Sequence, residues 1–209
     1  MNTLEGAVRR AVVQALLDRG AAVVVPGADG HARPPHVLRR EVAGRQNVDA
    51  LFAGALARHG QVDVVVLTSG EPEDRTLDQL DDAAWATASR TLDVLLWGMR
   101  AGLGHMVPRG RGRVVVTLGA EAKVGRPGAA VAAAVGHAAY GLVKVATKEG
   151  GPRGVTVNAV LANASADDSL TGRPADPAQV GGAVVLLASP DGGGMSGVAF
   201  PVDGGVSPY

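Results

Sequence analysis

The run from Val62 to Thr68, closed by Gly60 on one side and Gly70 on the other, is apolar at every position from Val64 to Leu67, with no alternation of polar and apolar residues there. Such a run is what a parallel strand looks like when helices cover both of its faces. The rest of the chain repeats the theme. Leu4 to Arg19 carries Val8, Val12, Ala15 and Leu16 at helical spacing and stops at Gly20. A short valine-rich strand is predicted over Ala21 to Val25, a proline-rich loop over Pro26 to Pro35 and a weaker strand over Val37 to Val42. An amphipathic helix is expected from Asn47 to His59, and a long one from Leu77 to His105 with a break near Asp81. Strand Arg113 to Thr117, a small-residue helix Ala129 to Glu149, strand Val155 to Val160, helix Pro177 to Leu187 and strand Val198 to Val202 follow. Strand and helix alternate throughout, which predicts an α/β, Rossmann-like, doubly wound parallel sheet of about six strands with right-handed crossovers. No linker or repeat divides the chain, so residues 1–209 read as one domain.

Charge and composition remove several functions. Twenty basic and twenty acidic residues balance, which provides no field for nucleic acid or an anionic membrane. Arg109 to Arg113 reads as a solvated loop. The absence of cysteine excludes disulfides and thiolate chemistry. Met1 to Gly20 lacks the apolar core of a signal peptide, and no stretch is read as approaching the ~20 apolar residues of a bilayer span. A soluble, cytoplasmic protein is the expectation.

Several local signatures stand in one register. Gly112 to Gly119 matches a strand ending of the type GRIVNISS, and Pro127-Gly128 follows it. Arg58-His59-Gly60-Gln61-Val62-Asp63, Trp85, Gly141-Leu142, Glu149, Val157-Asn158-Ala159-Val160 and the closing Val202-Asp203-Gly204-Gly205 fit the same frame. Together they resemble the short-chain dehydrogenase/reductase family over nearly the whole chain. That resemblance implies a nicotinamide-binding fold with a catalytic Ser, Tyr and Lys, and in its frame those positions are Gly119, Ala132 and Gly136. The family's glycine-rich turn falls on Asn2 to Arg9, where its three glycines become Thr3, Ala7 and Arg9. Side chains there would block the backbone's approach to phosphates. The family's first strand would lie ahead of Met1, so the sheet is expected to lack it and either to close over the gap or to fill it with another segment. After the fourth strand Leu67-Thr68-Ser69-Gly70 replaces the usual NNAG, Leu92 replaces a structural Asn, and on the adenine side only Glu41-Val42 remains. Beyond Val160 the substrate lid shrinks to Leu161-Ala162-Asn163 and a loop ending near Asp176. The resemblance therefore implies no cofactor.

Candidate site residues follow from this frame. Tyr140 and Lys144 spell the family's YxxxK, yet they lie eight residues past the register, about 12 Å along a helix, and read as a packed Tyr beside a solvated Lys. His137 should face away from the old active site, and His105 suits a helix C-terminus. Glu121 and Lys123 are expected at the mouth of the pocket as a base and an electrophile, with Thr68, Ser69, Thr117 and Asn163 lining the cavity. Asp167-Asp168 lacks a third metal ligand, and no metal is expected. In the family's tetramers the long helix and the Tyr-bearing helix form an interface, and here residues 84–106 and 129–147 keep their length and apolar faces. Mixed assemblies of an active and a degenerate subunit are known in the family, including in antibiotic pathways. Two functions are thus expected: a non-catalytic subunit that joins a full-length reductase as a homo- or hetero-oligomer, or a cofactor-independent cyclase, isomerase or lyase reusing the cleft. A small-molecule binding protein is a third.

Overall fold

Four strands run side by side in the order in which the chain makes them. The computed structural model describes residues 4–26, 37–38, 44–70 and 74–207. Helix α1 spans Leu4–Leu17, strand β1 Val25–Pro26, strand β2 Val37–Leu38, helix α2 Arg45–His59 and strand β3 Val64–Thr68. Helix α3 covers Asp82–Met106, β4 Gly112–Gly119, α4 Ala130–Gly150, β5 Val155–Ala162, α5 Pro177–Ala188 and β6 Ala199–Val202. Strands β3, β4, β5 and β6 form one parallel sheet in that order. Thr3, most of the loop read over Pro26 to Pro35, and Glu41-Val42 lie outside the described residues.

Alternation along the strands divides the core in two. Val114, Val116 and Leu118 of β4 and Val157, Ala159 and Leu161 of β5 face α3 and α4, which contribute Leu95, Met99, Met106, Val135, Ala139 and Val143. Val115 and Val160 point the other way, onto Val8 and Val12 of α1 and Val180, Val184 and Leu187 of α5. Helices on both faces make this the doubly wound α/β layer that the alternation predicted. Helices α1 and α5 approach closely enough that a Cβ on Gly181 would meet the Ala11 carbonyl oxygen at 3.2 Å. The predicted break before the long helix is real, because Asp81 accepts from the Ala84 N–H at 2.8 Å and caps α3.

Four expectations need correction. The sheet neither closes over a missing strand nor fills the gap among the described residues. Instead β1 and β2 pair in a separate two-stranded parallel sheet, and β3 ends the larger one. Only Val65 of β3 is fully buried, so its outer edge can be hydrated and the cost of unmade backbone bonds is avoided. Helix α2 is barely amphipathic, burying only Val48 and Ala55. Arg109 is not a solvated charge: it donates to the Val62 carbonyl at 2.9 Å and to Asp63 at 2.8 Å, tying the end of α3 to the start of β3. Finally, Ala130–Arg153 is one helix long and apolar enough, at a mean hydropathy of 1.3, to cross a membrane by composition alone. Its apolarity has another use here, since Val131, Val135, Ala139, Val143 and Ala146 are spent on the sheet.

Polar side chains hold β6 at both of its ends. Asn158, fully buried in β5, donates to the Met195 carbonyl at 2.8 Å and accepts from the Val198 N–H at 3.2 Å, which fixes the entry to β6. After β6, the buried Asp203 accepts from the N–H groups of Gly205 and Ser207 and from the Ser207 hydroxyl. Gly204 sits at φ 68°, and its carbonyl accepts from Ser169, so the final turn also anchors the β5–α5 loop.

Candidate functional site

In a parallel sheet covered on both faces, the ends of the strands are where backbone and side chains can reach a ligand. A cleft of about 240 Å³ opens there, over the carboxyl ends of β3, β4 and β5. Thr68, Ser69 and Gly70 form one wall, Thr117, Leu118 and Gly119 the floor, and Ala162 and Ala164 the far side. Ala132 and Val135 enter from α4, and Leu4 and Val8 from α1. Helix α1 is already helical at Leu4, so Ala7 and Arg9 belong to a helix where the resemblance implied a glycine turn.

An ion-pair hub crosses the mouth. Arg126 grips Asp74 through two hydrogen bonds of 2.8 and 2.9 Å, approaches Glu121 at 3.5 Å and lies 3.8 Å from Asp168. Asp74 follows β3, Glu121 follows β4 and Asp168 follows β5, so one guanidinium gathers the loops from three adjacent strands. The Arg126 hydrogen bonds hold the Asp74 carboxyl below its ordinary acidity range, with partial desolvation opposing them, and the same bonds raise Arg126 further. The Arg75 N–H adds a bond of 2.7 Å to the Gly128 carbonyl between the first two loops.

Two glycines of this region are crowded. A Cβ on Gly136 would stand 2.8 Å from the Ala122 Cβ and 2.9 Å from its Cα, because the short 3-10 turn Ala120–Ala122 presses on α4. A Cβ on Gly119 would collide with Oε2 of Glu121, whose carboxylate occupies that volume.

Of the residues expected from sequence, Glu121, Thr68, Ser69 and Thr117 come together in the cleft. Lys123 does not line it. The cation at the mouth is Arg126, because the 3-10 turn ends at Lys123 and the chain redirects before 126. Asn163 is buried but spent on its own loop, bonding the Ser165 backbone at both ends of its amide. His137 is exposed and bonds the Ala133 carbonyl one turn back. Tyr140 is half-buried against the core outside the cleft, with the Lys144 ammonium 4.5 Å from its ring centre. His105 does more than end a helix, since its Nε2 accepts from the Val62 N–H at 3.3 Å. Arg126 and Asp74 were missed by sequence reasoning. They stand 52 residues apart, and no local pattern links them.

Comparisons with known proteins agree with this architecture. A family model described as short chain dehydrogenase matches residues 8–168. The chain is 30% identical to the short-chain reductase protein NovJ of Streptomyces niveus, over 90% of this chain and 79% of that protein. It is 29% identical to a cis-4-hydroxycyclohexanecarboxylate dehydrogenase of Sinomonas cyclohexanicum, over 93% and 90% of the two chains. With the 3-oxoacyl-(acyl-carrier-protein) reductase FabG of Vibrio cholerae the identity is 25%, over 94% and 91%. The chain belongs to the short-chain dehydrogenase/reductase family.

Proposed function

We propose that this chain is a cytoplasmic, non-catalytic member of its family that assembles with an active, full-length reductase in secondary metabolism of the antibiotic type. The observation that carries the reading is steric. In the family frame the Lys position is Gly136, where even a methyl group would run into the backbone of Ala122, and the Ser position is Gly119, which brings no hydroxyl and has the movable end of Glu121 above it. A nicotinamide dinucleotide fits these residues poorly. Leu4 and Val8 bring aliphatic groups into the cleft, and from Leu4 onward the stretch where a glycine turn would cradle phosphates is helix.

Assembly has its own support. Helices α3 and α4 leave Trp85, Leu96 and Val145 exposed, with Trp85 and Val145 each 53% accessible. A large aromatic in water is a typical anchor for a partner surface. The reductase names of the relatives and the Streptomyces source of one of them support the choice of partner and setting.

Affinity capture of the tagged chain from its native host is the test. Recovery of a second protein with an intact glycine motif and Ser-Tyr-Lys set is expected, together with no calorimetric binding of NADH or NADPH by the isolated chain. Micromolar nicotinamide affinity would overturn the reading. Turnover by the isolated chain, lost in Glu121→Gln, would replace it with the cofactor-independent enzyme.

A further inference from the structure

The hydrogen-bonding character of the cleft restricts what it can hold. Ser69 Oγ gives its proton to the Gly70 carbonyl and Thr117 Oγ1 gives its own to the Leu67 carbonyl, each at 3.4 Å. The Arg126 guanidinium gives three hydrogen bonds, two to Asp74 and one to Glu121, and has Asp168 3.8 Å away, so three carboxylates surround its single charge. Asp74 is satisfied by Arg126 in return. The acceptors these side chains bring to the lining are the hydroxyl lone pairs and, above all, the second oxygen of Glu121. Its Oε1 makes the Arg126 contact, while Oε2 lies over Gly119 on the cleft floor. A carboxylate oxygen accepts and never donates while ionised. The resemblance would put a serine hydroxyl at this point, which can donate to a carbonyl. Glu121 reverses that sign.

Charge and shape agree. Asp74 and Glu121 against Arg126 leave one net negative charge on the lining. Leu4, Val8, Leu118 and Val135 give the guest an apolar bed. At about 240 Å³ the space is below the ~300 to 1,000 Å³ of drug-sized pockets, so the guest is small. We propose that the cleft binds a small organic amine as its ammonium ion, with the N–H groups on Glu121 Oε2 and the Thr117 hydroxyl oxygen and an apolar body against Leu4, Val8 and Val135. Ketones and carboxylates present only acceptors to Oε2 and are refused. This holds whether or not the chain serves as a partner subunit.

The test compares three probes that share a phenethyl body and differ in the polar head, on the full chain by calorimetry at neutral pH: phenethylamine, 4-phenyl-2-butanone and 3-phenylpropionate. The amine is expected to bind at least about tenfold more tightly than the ketone, with the carboxylate silent, as a charge-assisted hydrogen bond requires. Glu121→Gln keeps the shape, removes the charge and should abolish the amine's advantage. Amide chemical-shift changes in the unaltered chain provide a readout that no variant's folding can confuse, and they should centre on Ser69, Thr117 and Gly119. Absence of amine binding, equal binding of ketone and amine, retention of the preference in Glu121→Gln, or shifts centred elsewhere would each overturn the proposal.

Discussion

Arg126 and Asp74 face each other through two parallel hydrogen bonds of 2.8 and 2.9 Å, joining loops that leave neighbouring strands. The fork geometry makes this the strongest contact at the mouth of the cleft. It also gives the pair a defined pH signature. Asp74 is more acidic in the fold than in the unfolded chain, so its contribution is complete above about pH 4 and fades as the pH falls from there through the depressed folded value. Asp74 is 58% exposed, and the contribution is accordingly held below about 1 kcal/mol. Asp74→Asn should lower the melting temperature slightly at pH 7 and match the unaltered chain at the acid end of a titration. A gap that persists in acid would show that the pair acts by other means.

The crowding at Gly136 predicts that the family's lysine cannot simply be put back. Gly136→Ala should cost about 1 to 3 kcal/mol in urea unfolding, since the obstacle is partly the Cα of Ala122, and Gly136→Lys should cost more. Normal stability of either variant would mean that α4 and the 3-10 turn separate easily.

Asn158 bonds two backbone groups from the middle of the sheet, and both would be orphaned by its loss. Asn158→Ala is expected to destabilise the chain by about 2 to 4 kcal/mol and to expose the Val198 amide to rapid hydrogen exchange. Protection that survives the substitution would contradict this role.

Tyr140 and Lys144 offer the opposite expectation. Their contact is an exposed cation over a ring, worth about 0.5 kcal/mol. Lys144→Ala should leave the melting temperature nearly unchanged, and Tyr140→Phe should not alter ligand binding in a cleft that Tyr140 does not line. A large effect of Tyr140→Phe on binding would place the phenol in the site after all.

The layered fold was legible because valine runs and helical periodicity are local signals, and each reports the face a segment buries. The meeting of Ser69, Thr117 and Glu121 followed from knowing that strands in a parallel sheet end on one side. The hub at the mouth was not legible. Asp74 and Arg126 are ordinary loop residues, and only the closure of two loops brings them into contact. Lys123 and Arg126 differ by three residues, and a single 3-10 turn decides which of them reaches the cleft. The separate pairing of β1 with β2 has no local signal, because periodicity identifies a strand without naming its neighbour.

The order of the main sheet bears on how the molecule is made. Strands β3, β4, β5 and β6 lie side by side in the sequence in which a ribosome would release them. Each newly emerged strand can dock on the one before it, and none has to be threaded between two that are already paired. Maturation of this sheet can therefore proceed from one edge to the other during synthesis, with the turn at Asp203 locked last.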